Sequence, residues 1–273
     1  MIIIRRIAPL LAVAGTLAAQ TFIQMSDPQF GMYEKDAGFA HETANFEFAV
    51  ATANRLKPDF VVVTGDLVNK AGDADQAAEY KRIAGKLDKR IRLFSVPGNH
   101  DVGNEPTAES LARYRKLFGP DYYSFRVGGM VGIVLDSNLE KGTQNVPAEA
   151  AKMEAWLRAE LEKARASGAQ PVVFQHIPFF LKAADEADVY SNIPRDVRAR
   201  YLKLLHEFGV KEVFAGHCHK DLVARDGDLE VTGTGPVGMP LEGGKSGMRI
   251  ARVTGGEVKH QYYEFGDLPD VIP

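Results

Sequence analysis

The 273-residue sequence predicts an α/β fold. Two observations carry this prediction: short runs of β-branched and aromatic residues recur up to Gly216, and patterns of helical spacing separate them. Alternation of this kind is typical of α/β domains. With 45% hydrophobic and 25% charged residues, the composition is also that of an ordered globular chain.

The first nineteen residues are typical of a secretory signal peptide. Arg5 and Arg6 precede the apolar run Ile7–Ala19, which ends in small residues just before Gln20. An uncleaved N-terminal anchor is the alternative, although the run is short and Ala-rich for a membrane span. We therefore expect a signal peptide over residues 1–19, one domain over residues 20–273, and a periplasmic or secreted protein without stable membrane insertion after leader removal.

Six buried strands and three helices are predicted in the alternating part of the chain. The strands are Phe22–Met25, Phe60–Thr64, Ile91–Val96, Val131–Leu135, Val172–Gln175 and Val213–Ala215. Three sets of apolar residues recur at helical spacing and are interpreted as core faces of helices. The first set is Phe46, Ala49, Val50, Ala53 and Leu56, and the third is Val197, Tyr201, Leu204, Leu205 and Phe208. The second set, in a helix predicted to start at Pro147, is Met153, Trp156, Leu157, Leu161 and Ala164.

The pattern changes after Gly216. Four short strands follow one another directly, joined by turns such as Asp226-Gly227 and Gly255-Gly256. They are Asp221–Arg225, Leu229–Thr234, Met248–Val253 and Val258–Phe265. A consecutive meander after an alternating half predicts a second sheet that packs on the first.

Charge and cysteine content narrow the function classes. The formal net charge is −3 and the chain has no run of Lys or Arg, which disfavours nucleic-acid partners. The only cysteine is Cys218, so no internal disulfide can form, and a structural role suits it better than that of a thiolate ligand. Export without disulfides is compatible with a bacterial periplasmic protein large enough to depend on its core.

Polar side chains follow five of the predicted strands. They are Asp27, Asp66, Asn99, His176, and the pair His217 and His219. Because ligands bind outside the carboxyl ends of strands in open α/β sheets, we expect these groups to meet at one edge. Oxygen and imidazole donors suit Mn, Fe, Zn or Mg. Each fragment alone could be a turn or a structural histidine, but the order and spacing of all five favour a metal site.

These residues resemble the motifs of calcineurin-like metallophosphoesterases. That family carries Asp-x-His, Gly-Asp, Gly-Asn-His, His and Gly-His-x-His, and four of the five blocks match. Within it the chain is most similar to the calcineurin-like phosphoesterase domain-containing protein 1 group. The shared segments are residues 27–31, 98–104, 123–129, 174–178, 216–219 and 260–263. The resemblance implies a four-layer αββα sandwich, with two mixed β-sheets flanked by helices.

The resemblance also implies roles for single residues. One metal ion would be held by Asp27, Asp66 and His219, and a second by Asp66, Asn99, His176 and His217, with Asp66 bridging both. Gln29 stands where most relatives have histidine, so its position as a ligand to the first metal is open. His100 would give a proton or a hydrogen bond to the leaving oxygen. Asp101 is a further catalytic candidate, which would orient His100 or cap the next segment.

The implied activity is hydrolysis of phosphate monoesters by a hydroxide that two divalent ions share. The similar group implies phosphoprotein serine/threonine phosphatase activity. Two alternatives stay open. One is a phosphodiesterase acting on cyclic nucleotides or lipid head groups. The other is a non-catalytic metal- or phosphate-binding module, since one ligand position has changed.

Overall fold

A computed structural model of the chain describes residues 19–273. The predicted signal peptide therefore lies outside the described residues, except for Ala19. Within the described range, the strands form two mixed sheets flanked by helices, as the resemblance implied. In the same range, no helix combines the length and the apolar character that crossing a membrane requires.

The first sheet contains the three N-terminal strands and the two C-terminal ones. Its strands, from edge to edge, are β11 (Glu257–Glu264), β10 (Gly247–Thr254), β1 (Gln20–Met25), β2 (Phe60–Thr64) and β3 (Arg92–Val96). The three N-terminal strands run parallel, whereas β10 and β11 are antiparallel to their neighbours. The carboxyl ends of β1, β2 and β3 therefore lie at one end of this sheet.

The second sheet contains the middle of the chain. Its strands, from edge to edge, are β4 (Tyr123–Val127), β5 (Met130–Val134), β6 (Gln170–Phe174), β7 (Glu212–Ala215), β9 (Leu229–Gly233) and β8 (Leu222–Asp226). The four inner strands are parallel and both edge strands are antiparallel. Strand β4 was not predicted from the sequence, although Tyr123, Phe125 and Val127 alternate with the exposed residues Ser124 and Arg126, as is typical of a half-buried edge strand.

The prediction that the C-terminal meander forms a sheet of its own is wrong. Strands β8 and β9 extend the sheet that already contains β7, and β10 and β11 extend the sheet that contains β1. The connection over residues 234–246 crosses from one sheet to the other. Local alternation identifies strands, but the choice of pairing partner depends on contacts between residues far apart in the chain.

Aromatic side chains fill the space between the sheets. Phe22 of β1 stacks on Phe60 of β2 at 4.9 Å, and it meets Phe174 and Phe214 of the second sheet edge-to-face at 5.6 and 5.3 Å. Because side chains alternate along a strand, neighbouring residues such as Ile23 belong to the separate core under the helices. One face of each sheet thus packs on the other sheet and the opposite face packs on helices, which gives the four layers.

The helices confirm the predicted core stripes. They are α1 (Ala40–Leu56), α2 (Ala74–Ala84), α3 (Asn99–Val102), α4 (Ala108–Phe118), α5 (Asn138–Lys141), α6 (Pro147–Ala166) and α7 (Arg195–Glu207). Pro147 begins α6, where the absent N–H has no partner to lose. Trp156 packs against Tyr122 at 5.1 Å in a partly buried position, which is a structural contact.

The ends of strands from both sheets meet at one end of the sandwich. The backbone N–H of Asp27 donates to Gly65 O at 3.2 Å within the first sheet, and Gly216 N donates to His176 O at 2.9 Å within the second. His217 N then donates across to the carboxylate of Asp27 at 3.1 Å. The polar residues thus converge beyond the carboxyl ends of the strands, as expected, and the strands that position them come from both sheets.

Candidate metal centre

Left-handed backbone marks the place where the predicted ligands converge. Of the nine non-glycine residues described with positive φ, five belong to the predicted ligand set: Asp27, Gln29, Asp66, His217 and His219. Non-glycine residues avoid this conformation, so its concentration here indicates turns held by their surroundings. Such strain is typical of functional sites.

The first ligand group consists of Asp27, Asp66 and His219, each offering one atom within 4.8 Å of the others. Nε2 of His219 lies 3.3 Å from Oδ1 of Asp27. Nδ1 of the same ring donates to the carbonyl oxygen of Met239 at 2.6 Å. That bond places the proton on Nδ1 and leaves the Nε2 lone pair facing the carboxylates, as metal-binding histidines require.

The second ligand group consists of Asp66, His176 and His217, again within 4.8 Å of one another. Nδ1 of His176 donates to Thr64 O at 2.8 Å, which turns Nε2 toward Oδ2 of Asp66 at 3.2 Å. Nε2 of His217 donates to a backbone carbonyl at 3.4 Å, and its Nδ1 faces Nε2 of His176 at 3.2 Å. Oδ1 of Asn99 lies 3.1 Å from the same Nε2. Acceptor atoms therefore face one another, an arrangement that a cation would satisfy.

Asp66 belongs to both groups, and two glycines make room for it. A β-carbon on Gly98 would collide with the backbone N and Oδ1 of Asp66, and one on Gly65 would collide with the ring of His176. Gly216 likewise leaves room for Ser26 and Asp27. The absence of a side chain at these glycines therefore allows the ligand residues to approach one another closely.

The titratable groups of the cluster shift one another's pKa values. Burial disfavours the Asp66 carboxylate, but His176 and other nearby histidines lower its pKa. Burial is likewise overcome at His176, where Asp66 raises the pKa to about 9. Burial and the adjacent His176 lower the pKa of His217 to about 4. A proton on His176 thus supplies the positive charge that a metal ion would supply between these carboxylates.

Gln29 is buried beside the first ligand group. Its Nε2 donates to Oδ1 of Asn69 at 3.2 Å, which leaves the amide oxygen on the other side. Among the described residues, that oxygen has no hydrogen-bond partner. A buried acceptor without a partner costs free energy, so this oxygen is suited to a cation. The donor set around Asp27 thus fits a divalent ion that accepts a neutral oxygen.

His100 and Asp101 follow Asn99 in the short helix α3. The backbone N–H of His100 donates to Oδ1 of Asp66 at 2.8 Å, and its ring Nδ1 donates to Asn69 O at 2.7 Å. Nε2 of His100 is thereby left to exchange a proton with a bound molecule. The ring is part of the site without belonging to either ligand group.

The contacts of Asp101 support one of its two predicted roles, and its catalytic role stays a prediction. Its carboxylate accepts from the backbone N–H groups of Gly98 at 2.7 Å, Leu67 at 3.0 Å and Val68 at 3.2 Å. Within residues 19–273, no hydrogen bond joins this carboxylate to the His100 ring. Asp101 therefore caps α3 and ties it to the loop after Asp66, which is the second of the two roles that the sequence left open.

A buried chain of hydrogen bonds, which the sequence analysis missed, ends on Asp27. Each member donates to the next: Arg249 Nε to Thr234 at 2.9 Å, Thr234 to Gln24 at 2.6 Å, Gln24 to Thr64 at 3.0 Å, Thr64 to Ser26 at 2.9 Å, and Ser26 to Oδ2 of Asp27. The chain connects the buried guanidinium group of Arg249 to the buried carboxylate of Asp27. The Ser26 hydroxyl, directly after the apolar strand β1, was the sequence signal for this chain of hydrogen bonds, but the partners come from distant strands.

A third cluster of metal-type side chains has different chemistry. Glu212, Glu230 and His260 also lie within 4.8 Å. Nδ1 of His260 accepts from Arg249 at 2.8 Å, so the ring proton is on Nε2, which donates to Glu230 at 2.6 Å. Arg225 contacts the other oxygen of Glu230. These contacts are those of an ion-pair chain, with the imidazole lone pair already used.

The sequence of this chain is similar to those of known proteins. The family model described as calcineurin-like phosphoesterase matches residues 21–221. The chain is 35% identical over 265 residues to a protein from Bos taurus named serine/threonine-protein phosphatase CPPED1, covering 91% of the chain and 85% of the relative. The Homo sapiens protein of the same name is 34% identical over 266 residues, with the same coverage.

The fold is also similar to solved structures. A crystal structure of a dimetal phosphatase from Danio rerio superimposes with a TM-score of 0.68 at 16% sequence identity, covering 92% of this chain and 97% of the other. At this identity the likeness concerns the fold alone. It agrees with the two sheets and flanking helices described above.

Proposed function

Because this chain belongs to the calcineurin-like phosphoesterase family of metal-dependent phosphoric ester hydrolases, we propose that it is a dinuclear phosphomonoesterase. Its substrates would include phosphoserine and phosphothreonine side chains of proteins, since two relatives are named as serine/threonine-protein phosphatases. The observation that carries the proposal is geometric. Two ligand groups share the buried carboxylate of Asp66, as a pair of neighbouring ions would need.

Each ion would have its own set of ligands. The first would take Asp27, Asp66, His219 and the amide oxygen of Gln29, and the second Asp66, Asn99, His176 and His217. When bound, two divalent cations would supply an activated water as nucleophile and neutralise the phosphoryl group. Because the amide and the imidazoles are neutral, only two carboxylates oppose the cations. The site therefore keeps a net positive charge that attracts a phosphate dianion.

His100 would move the proton. Its Nδ1–H donates to Asn69 O, so Nε2 is directed away from this contact, and the imidazolium form would give its Nε2 proton to the departing alcohol oxygen. The backbone N–H of His100 donates to Oδ1 of Asp66. The proposed proton donor thus contacts the shared ligand, although its ring is not itself a ligand. Cys218 takes no part in this scheme, since burial raises its pKa to about 12.

The test is a phosphate-release assay on purified protein stripped of metal and then supplied separately with Mn, Fe, Zn or Mg. The substrates are an aryl phosphate, a bis-aryl phosphate and a phosphothreonine peptide. We expect release from the aryl phosphate and the peptide and little from the diester, with two ions per chain by elemental analysis. Faster turnover of the bis-aryl phosphate would replace the proposal with a diesterase, and metal binding without turnover would replace it with a binding module.

Export is proposed on the sequence of residues 1–19 alone. The pattern of Arg5 and Arg6 before an apolar run supports it. N-terminal sequencing of protein recovered from the periplasm and culture medium should find Gln20 or a neighbour as the first residue. Protein that keeps Met1 and stays in the cytoplasmic fraction would contradict export.

A further inference from the structure

Tyr190 lies on the loop after β6 and contacts the second ligand group. Its hydroxyl oxygen is 3.2 Å from Nδ2 of Asn99, and its ring centroid is 5.0 Å from that of His217. Its backbone carbonyl also accepts from Nε2 of His217 at 3.4 Å. Yet 60% of the residue is exposed to solvent. Tyr190 therefore contacts proposed metal ligands and also faces solvent.

The direction of these hydrogen bonds leaves the phenolic proton unused. Oδ1 of Asn99 faces His176, so the amide nitrogen of Asn99 faces Tyr190 and can only donate. A phenol carries its proton at neutral pH. The Tyr190 oxygen, which accepts from the Asn99 amide, therefore retains its own O–H to donate to another group.

Lys141 supports the tyrosine from the side. Its Nζ lies 4.9 Å from the centroid of the Tyr190 ring and donates to the Tyr190 carbonyl oxygen. The lysine comes at the end of α5, so one helix and one loop hold the ring between them. Next to it, Val189 is 50% exposed and extends the apolar surface of the same loop. Val189 and the Tyr190 ring thus form an exposed apolar surface beside the site, and the Tyr190 hydroxyl is a hydrogen-bond donor on it.

We propose that Tyr190 contacts the substrate of the phosphoesterase: its hydroxyl donates a hydrogen bond to a phosphoryl oxygen, and its exposed ring supports an apolar leaving group. The inference rests on the proposed function. It adds a substrate-contacting residue outside the ligand groups and the proton donor. It also implies a preference for esters whose alcohol carries aromatic or aliphatic bulk over small polar ones.

The decisive variant is Tyr190→Phe, which removes the hydroxyl and keeps the ring. Tyr263→Phe is the matched control, because the Tyr263 hydroxyl bonds Gln261 on the surface of β11. We measure binding of inorganic phosphate to metal-loaded protein by calorimetry, together with KM, kcat and metal content. Tyr190→Phe should weaken phosphate binding and lower kcat/KM by about 10- to 100-fold, the effect of one hydrogen bond to a charged group, at unchanged metal content.

Three results would overturn the proposal. The first is phosphate binding and kcat/KM equal to those of the control. The second is loss of metal in Tyr190→Phe, which would assign the hydroxyl to positioning Asn99. The third is a metal-loaded wild type that does not bind phosphate. Because binding is measured apart from turnover, a protein that binds phosphate through Tyr190 but hydrolyses no ester would refute the proposed function alone.

The ring is tested separately with Tyr190→Leu and Tyr190→Ala. If the ring supports the leaving group, KM for an aryl phosphate should rise in the order Phe, Leu, Ala, while KM for a small polar alkyl phosphate changes little beyond the effect of the hydroxyl. Equal losses on both substrates would contradict this part of the proposal.

Discussion

The first and second ligand groups share Asp66 but differ in how their other members are held. In the second group both imidazoles donate a ring N–H to a backbone carbonyl, of Thr64 for His176 and of Tyr190 for His217. The first group has one such imidazole, His219, and two carboxylates, and the amide oxygen of Gln29 is only proposed as a further ligand. Asp27 is oriented by two donors, the hydroxyl of Ser26 and the backbone N–H of His217 at 3.1 Å.

This difference teaches that two neighbouring sites with a common ligand need not be equivalent. The second group offers two imidazoles turned to a single point, while the first has one imidazole and, as proposed above, the amide oxygen of Gln29 as a weaker neutral donor. We therefore infer that an ion in the first group exchanges more readily and that its identity depends more on which metals are available. The variants Ser26→Ala and Gln29→His test this difference.

The largest effect is expected from Asp66→Asn, because Asp66 is the member common to both groups. The amide keeps the shape and loses the charge that two cations share. Activity should fall by about 10³-fold or more, and elemental analysis should show less metal at both sites. Asp226→Asn, at a surface ion pair with His206, is the control. Retention of one full equivalent of metal would show that the groups do not depend on the shared carboxylate.

His100→Ala separates proton transfer from metal retention. The His100 ring contacts Asn69 O and belongs to neither group, so both ions should stay while kcat falls by about 10²- to 10⁴-fold. The loss should be greatest for alkyl phosphates, whose leaving oxygen most needs a proton. His206→Ala controls for the loss of an imidazole. A drop in metal content would instead make His100 part of the ligand structure.

Ser26→Ala should sharpen the asymmetry by affecting the first group alone. It removes the last donor of the buried chain to Oδ2 of Asp27, and loss of such an orienting bond costs about 10- to 100-fold in metal affinity. Metal titration should show one weakened and one unchanged site. Ser124→Ala, at a surface contact with Glu160, provides the comparison. Equal weakening at both sites would mean that Ser26 acts on the fold as a whole.

Gln29→His should remove the asymmetry. An imidazole in place of the amide is a stronger ligand for zinc, so affinity of the first site for Zn should rise by about 10-fold and its preference for Mn or Mg should decline. Competition titrations with Mn and Zn measure this directly, with Gln261→His on the exposed strand β11 as control. Unchanged metal preference would show that the amide oxygen of Gln29 is not a ligand.

The smallest effect concerns a buried carboxylate that has no imidazole partner. Burial raises the pKa of Asp136, after β5, from 3.8 to about 7, and one of its oxygens has no partner among the described residues. A raised folded-state pKa means that stability is greatest below about pH 4 and declines as pH rises toward 7. Asp136→Asn should therefore raise Tm by roughly 5 °C at pH 8 and by little at pH 4. Equal shifts at both pH values would contradict this.

Local sequence patterns predicted part of the fold, and particular residues show which features they did not predict. The run Phe60–Thr64 was predicted with its true bounds, because a strand buried on both faces is uniformly apolar. Pro147 was identified as the start of α6 for a reason internal to the residue. The strands after Gly216 were assigned to one sheet although they divide between two, because strand pairing is not a local property. Strand β4 was missed although its alternation is local: Tyr123, Phe125 and Val127 are more buried than Ser124 and Arg126.

The sequence by itself determined the donor types, their order after the strands, and the glycines beside them, since these follow from residue identity and short-range spacing. Only the tertiary structure decided that the donors come from the strand ends of two sheets. It also decided that Asp101 caps a helix and that Tyr190 contacts the proposed ligands. The physical reason is that hydrogen-bond direction and burial depend on atoms from distant strands: Asp27 and His217, for example, are 190 positions apart in the chain.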